Sequence, residues 1–215
     1  MSAPPPLYWI ADLDAARDYG VDLPTVARAF TAAGGRLLSL RSGAKPAPRS
    51  RTQGATLSRI CAESGATLLL HRHLELALQL GAQGLHLPST STADDVRQAR
   101  RRLGDGALLF RSCHHRQDIE LAARAGCDAV TLSPFFESLS KPGHRPQHSP
   151  DELHALCRAS PLPVYALGGI TADNGRQALD RGAHGLATIG AITDADDVAH
   201  ITARFLALFG DRRRG

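Results

Sequence analysis

Eight short apolar runs recur along the chain, each followed by a stretch with a different period. They are LYWI at 7–10, RLLSL at 36–40, TLLL at 67–70, GLHL at 84–87, ALLF at 107–110, AVTL at 129–132, VYAL at 164–167 and GLATI at 185–189. Between them LPTVARAFTAAGG, HLELALQLGAQ, ADDVRQARRRLG, DIELAARAGCD, NGRQALDRGAH and ADDVAHITARFLALF place apolar residues at i, i+3, i+4 and i+7, the pattern of amphipathic helices. Glycines close several of these units just before the next run, at Gly34-Gly35, Gly65, Gly81, Gly126 and Gly182. Each unit therefore reads strand, loop, helix, glycine, strand.

The unit repeats at intervals of roughly 25 residues, and strands that alternate with helices predict a parallel sheet. Eight such units predict an α/β fold, a single (β/α)8 TIM barrel spanning residues 1–215. A doubly wound open sheet is the alternative, and it usually has fewer strands. Two long connections, 41–56 and 133–150, follow the second and sixth strands and carry Pro, Gly, Ser and basic residues. In a barrel they fall on the face where binding sites are built, so they need not be domain linkers.

Composition narrows the partners. Of 215 residues 43% are hydrophobic and only 5% aromatic, so the core is expected from Ala, Leu, Val and Ile. The net charge of +4 comes with clusters at Arg100–Arg102 and Arg212–Arg214. No aromatic interleaving or basic face accompanies them, so no nucleic-acid partner is expected. Cys61, Cys113, Cys127 and Cys157 lack CxxC spacing and lie in apolar stretches, which predicts buried free thiols. There is no leader-like N-terminal run and no stretch near the ~20 residues that span a bilayer, so the expectation is a cytoplasmic protein without a membrane partner.

Candidate chemistry collects at the strand ends. Gly168-Gly169 after the seventh strand and Ile189-Gly190 after the eighth allow backbone N–H groups close to a ligand, which in a barrel points to phosphate. Ser112 and His114 end the fifth strand two residues apart and can share one face, and a histidine there suits acid/base work near neutral pH. Ser138, Ser140 and Lys141 offer two hydroxyls and an ammonium to an anion. His71 and His73, with His86 on the next strand, form an H-x-H arrangement of the kind that binds metals. Arg72 lies between the pair and no carboxylate ends a neighbouring strand, so no metal ligand is assigned.

The order of these motifs resembles the thiamine-phosphate synthase and thiazole tautomerase family. The stretches that carry it are LSLR at 38–41, LLLHRHLELALQLGAQGLHLPS at 68–89, RSCHH at 111–115, GCDAVTLSPFFESLSKPG at 126–143 and PVYALGGIT at 163–171. The resemblance implies a TIM barrel, often a homo-oligomer, that holds a phosphorylated thiazole or related anion. It implies Arg41, His71, Arg72, Ser112, Ser138, Ser140 and Lys141 as substrate-binding residues, and Gly168, Gly169, Ile189 and Gly190 as the phosphate loops. In the synthase branch Mg²⁺ is held by carboxylates at the positions of Arg72 and Ser91, and glutamine and lysine stand at Ser39 and Gly43. With both carboxylates absent, no cofactor is expected. The LHLPS stretch is closer to the tautomerase branch, which moves a proton on a thiazole phosphate without a metal and would use His114 as acid/base. The first expectation is therefore a thiazole tautomerase-like isomerase. The alternatives are a divergent thiamine-phosphate synthase or a non-catalytic barrel that binds a thiamine-related metabolite.

Overall fold

The computed structural model describes residues 4–43, 47–137 and 148–210. In chain order the elements are β1 (Leu7–Asp12), α1 (Leu13–Asp18), α2 (Leu23–Ala32), β2 (Leu37–Arg41), α3 (Pro48–Ser64), β3 (Thr67–His71), α4 (Leu74–Gln79), β4 (Gly84–Leu87), α5 (Ala93–Leu103) and β5 (Leu108–Cys113). They continue with α6 (Arg116–Ala125), β6 (Ala129–Leu132), α7 (Pro150–Ala159), β7 (Val164–Ala166), α8 (Gly175–Asp180), β8 (Gly185–Thr188), α9 (Gly190–Thr193) and α10 (Val198–Gly210). Each strand pairs in parallel with the next, and β8 closes onto β1. The eight expected strands and the barrel they predict are the observed architecture.

The pleat sorts the strand residues into two layers. On β1, Leu7, Trp9 and Ala11 join the cluster that packs under the helices, while Tyr8 and Ile10 face the interior with Leu37, Leu69, Phe110, Ala129, Tyr165 and Ala187. Because both faces are covered, the runs read as continuously apolar. The rings of Tyr8, Phe110 and Tyr165 fill the bottom of the barrel with centroids 5.1–6.2 Å apart. The Tyr165 hydroxyl donates to the carbonyls of Pro4 and Pro5, 3.0 and 2.9 Å away, so the N-terminal segment closes that end. A substrate can enter only from the opposite mouth.

The connection 41–56 is shorter than the sequence suggested, because α3 starts at Pro48. Its buried face is Ser50, Gly54, Leu57, Ile60 and Cys61, so small polar residues occupy positions where an apolar stripe would have signalled a helix. The connection 133–150 ends at a capping box in which Ser149 Oγ accepts from Glu152 N and Ser149 N donates to the Glu152 carboxylate. All four cysteines are buried and free. Among the described residues no helix is long and apolar enough to cross a membrane.

Candidate active site

At the closed end the inward positions carry apolar rings, and toward the mouth they turn polar. Continuing the alternation on each strand brings Asp12, Ser39, Arg41, His71, His86, Ser112 and Thr131 to one opening, with His73 and His114 just beyond the ends of their strands. Six of these nine are buried outright, namely Asp12, Ser39, His71, His73, His86 and Thr131, as is the flanking Arg111. Burying so many polar groups is costly unless they are hydrogen-bonded, which makes this end of the barrel a site rather than core.

At its centre a chain of hydrogen bonds links four strands. The Tyr8 hydroxyl lies 2.7 Å from His86 Nδ1, and His86 Nε2 lies 3.0 Å from Ser112 Oγ, with Thr131 Oγ1 at 3.4 Å. Desolvation holds the His86 imidazolium well below its ordinary range, with the charges on His71 and Arg41 acting the same way, while burial pushes the Tyr8 phenol up. Both groups are therefore neutral at pH 7. When Tyr8 donates to Nδ1, His86 Nε2–H donates to Ser112, whose own hydroxyl proton is then free to turn toward the mouth.

The rim above β2 and β3 is cationic. Arg41, at the end of β2, pairs with Asp12, and the other Asp12 oxygen caps α1 by accepting from Asp14 N and Ala15 N at 2.9 and 3.1 Å. His71 has an Nδ1 atom that is buried without a partner, and its ring centroid is 4.8 Å from that of His86. Burial lowers its pKa to about 4, assisted by the positive charges of Arg41 and Arg72. Arg72 follows with φ at +74°, the only non-glycine residue with positive φ among those described. An arginine in that region costs about 1–2 kcal/mol, and such strain collects at functional sites. Its N–H donates to His86 O at 2.9 Å, which pins the backbone, while its guanidinium is exposed and has no ion pair among the described residues. His73 Nε2 lies 3.0 Å from Gly43 O and ties this rim to the β2 loop. The carboxylate on this face, Asp12, is paired with Arg41, and among the described residues no group of three or more His, Cys, Asp or Glu could hold a metal ion.

The opposite rim is built from backbone. Gly168 and Gly169 have φ of +94° and +64°, and a Cβ on Gly169 would sit 2.4 Å from Glu137 O. Only glycine satisfies both the dihedral and the close approach. Phe135 N and Phe136 N donate to Leu167 O and Gly168 O, and Asn174 Nδ2 donates to Gly169 O at 2.7 Å, so the loop is braced from two sides. A cavity of about 490 Å³ opens here, bounded by Leu167–Ile170, Thr188–Ala191, Tyr19 and the carboxylate residues Glu137 and Asp194. Among the described residues no lysine or arginine lines it.

His114 stands on the same face as Ser112. Its Nδ1 is 2.7 Å from Ser133 O, and since a carbonyl only accepts, Nδ1 carries a proton and the neutral ring has its lone pair on Nε2. Asp118 receives the amides of His114 and His115 at 2.9 and 3.1 Å. Arg111, 2% exposed, donates to the carbonyls of Ser89 and Ser91 and to Asp118. It thereby clamps the loops after β4 and β5 together.

The structure thus brings Arg41, His71, Arg72, Ser112, His114, Gly168, Gly169, Ile189 and Gly190 to one mouth. Ser138, Ser140 and Lys141 lie outside the described residues. Sequence reasoning missed Tyr8, Asp12, Arg111 and Asn174. Tyr8 sat inside an apolar run and Asp12 two residues beyond the run's expected end, so neither stood out as chemistry.

Comparison with known proteins gives one answer. Residues 7–192 match the family model described as thiamine monophosphate synthase. The chain is similar to the thiamine-phosphate synthase of Chromobacterium violaceum, 36% identical over 188 residues that cover 87% of this chain and 89% of the relative. It is also 36% identical to that of Acidithiobacillus ferrooxidans over 193 residues, 87% of each chain. Thiamine phosphate pyrophosphorylase from Pyrococcus furiosus has the same fold, with a TM-score of 0.80, 23% identity and 96% of both chains covered.

Proposed function

Since the chain belongs to the thiamine monophosphate synthase family, we propose that it joins a pyrimidine bearing a methylene pyrophosphate to a thiazole phosphate. Coupling thus takes the place of isomerisation as the first reading, because the relatives that match most of the chain are named synthases. The observation that supports it is the division of the mouth into a rim of cationic side chains and a rim of glycine-bearing backbone. One lies above β2 and β3, the other across the ring above β7 and β8. A reaction on a single phosphorylated substrate needs one such rim, whereas coupling a substrate that carries a phosphate to one that carries a pyrophosphate needs two, held apart with the reacting atoms between them.

The thiazole ring nitrogen gives its lone pair to the pyrimidine methylene carbon as the bond from that carbon to the pyrophosphate oxygen breaks. The bonding electrons leave with pyrophosphate. No proton need be transferred, so the protein's contribution is to orient the partners and to stabilise the leaving anion. The amides of Gly168, Gly169 and Gly190, beside Ile189, receive the thiazole phosphate; Ser138, Ser140 and Lys141 are assigned to the same anion from sequence. Arg41 and Arg72 face the pyrophosphate. Ser112, oriented through His86 and Tyr8, supplies a hydroxyl donor between the two. Four buried free thiols suit a reducing compartment, and the reaction is assigned to the cytoplasm on that ground.

Incubation of the purified chain with both precursors, following pyrophosphate release together with the joined product, is expected to show turnover. Absence of product over a wide range of precursor concentrations would reject the coupling. Isomerisation of a thiazole phosphate is the second reading, favoured by the free lone pair on His114 Nε2. It predicts that His114→Ala slows that isomerisation by ~10²-fold or more, and equal rates would remove it.

A further inference from the structure

The rim above β2 and β3 is where the family resemblance would seat a divalent cation, and its donors do not suit one. Mg²⁺ takes hard oxygen ligands, usually one or two carboxylates. The carboxylate beside this rim, Asp12, has both oxygens committed, one to two backbone amides of α1 and the other to Arg41. Arg72 and Ser91 stand where the resemblance expects carboxylates. Arg111 donates to Ser91 O and, at 2.6 Å, to Ser89 O, so the carbonyls of that loop already face a cation.

What the rim does present is fixed positive charge. Arg72 is anchored through its amide to His86 O, while its guanidinium has no ion pair or hydrogen bond among the described residues. Arg41 lies one strand away with 40% of its side chain exposed, so Asp12 neutralises it without covering it. The neighbouring His71 is held neutral mainly by burial, with the charges of Arg41 and Arg72 acting in the same direction and Asp12 against them. Guanidinium groups bind phosphate oxygens through paired donors, and arginine cannot lose its charge at working pH.

We infer that this rim binds a pyrophosphate group directly through Arg72 and Arg41, in place of a divalent cation. The identity of the anion rests on the coupling reading, whereas the mode of binding does not. In the coupling, the charge that develops on the departing pyrophosphate oxygen is then met by fixed guanidinium groups.

The test is calorimetric binding of inorganic pyrophosphate to the full chain, in EDTA and again with Mg²⁺ in excess. Wild type is expected to bind in EDTA, with an affinity within about threefold of that in Mg²⁺. Arg72→Asn tolerates the positive φ and removes the charge, and it should weaken binding in EDTA by roughly 10-fold. Arg72→Asp should weaken it further and recover on addition of Mg²⁺. Binding of inorganic phosphate in the β7–β8 cavity should be the same in all three proteins, which reports that each is folded. Wild-type binding that requires Mg²⁺, or Arg72→Asn binding that equals wild type in EDTA, overturns the inference. Turnover of the two precursors is measured separately. Metal-free, Arg72-dependent binding without turnover would reject the coupling and leave this inference standing.

Discussion

The rims above β7–β8 and β2–β3 face the same opening but are built from different material. The first is main chain: two glycines at positive φ, a loop braced by Asn174 and by the amides of Phe135 and Phe136, and no lysine or arginine among the described residues that line it. The second is side chain: Arg41, Arg72 and two histidines, on a backbone strained at a single residue. Backbone donors impose geometry and tolerate little substitution, because a Cβ at Gly168 or Gly169 would run into neighbouring backbone. Side-chain cations impose charge, and one replacement can remove or reverse it. The backbone rim is therefore expected to be the rigid half and the cationic rim the half that can diverge.

The largest effect should come from breaking the rigid half. Gly169→Ala places a Cβ 2.4 Å from Glu137 O at a φ of +64°, which should cost about 3 kcal/mol and lower the melting temperature by about 10 °C. Phosphate binding at that rim should be lost while pyrophosphate binding at the other persists. Loss of both would show that the two rims are one cooperative unit.

Next in size is the pH dependence set by the buried histidine of the cationic rim. His71 has a folded pKa of about 4 against an ordinary 6.5. The unfolded chain therefore binds more protons between those values. Its contribution is fully present above pH 6.5 and is lost as pH falls toward 4, about 2 kcal/mol by pH 5. His86, also lowered, acts in the same direction. Urea midpoints measured from pH 7 to 5 should fall less steeply in His71→Asn than in wild type. Parallel curves would mean that His71 does not carry this dependence.

Asp12→Ala removes a helix cap worth about 1 kcal/mol and frees Arg41. Thermal unfolding should show that loss, with pyrophosphate affinity held or raised. A large fall in affinity would instead make Asp12 a ligand, directly or through a cation. The smallest expected difference is in salt response. Raising ionic strength from roughly 0.05 to 0.5 M should weaken the cationic rim about threefold and leave the backbone rim nearly unchanged.

Much of this was readable before any coordinates. Strand runs and helical periods predicted eight units, and the glycine pairs at 168–169 and 190 marked the rigid rim, since a glycine requirement is written directly in residue identity. The cationic rim was only half readable. LLLHRH showed its charges, but nothing local to that stretch indicated that Asp12, fifty-nine positions before His71, was already spent on Arg41 and α1. Likewise α3 hid behind small polar residues on its buried face, and Tyr8 behind its apolar neighbours.

The sequence by itself determined the eight strands and most of the helices between them, that both faces of the strands are covered, and that glycine must stand at the β7 turn. Those properties follow from periodicity and backbone sterics, which act over a few neighbouring residues. Only the tertiary structure decided which polar groups meet. The closed barrel sets Tyr8, His86 and Ser112 from β1, β4 and β5 in one hydrogen-bonded line, commits both oxygens of Asp12, and leaves the Arg72 guanidinium unpaired among the described residues. Whether a charge is free or already satisfied depends on partners distant in the chain, and closure of the barrel is what brings those partners together.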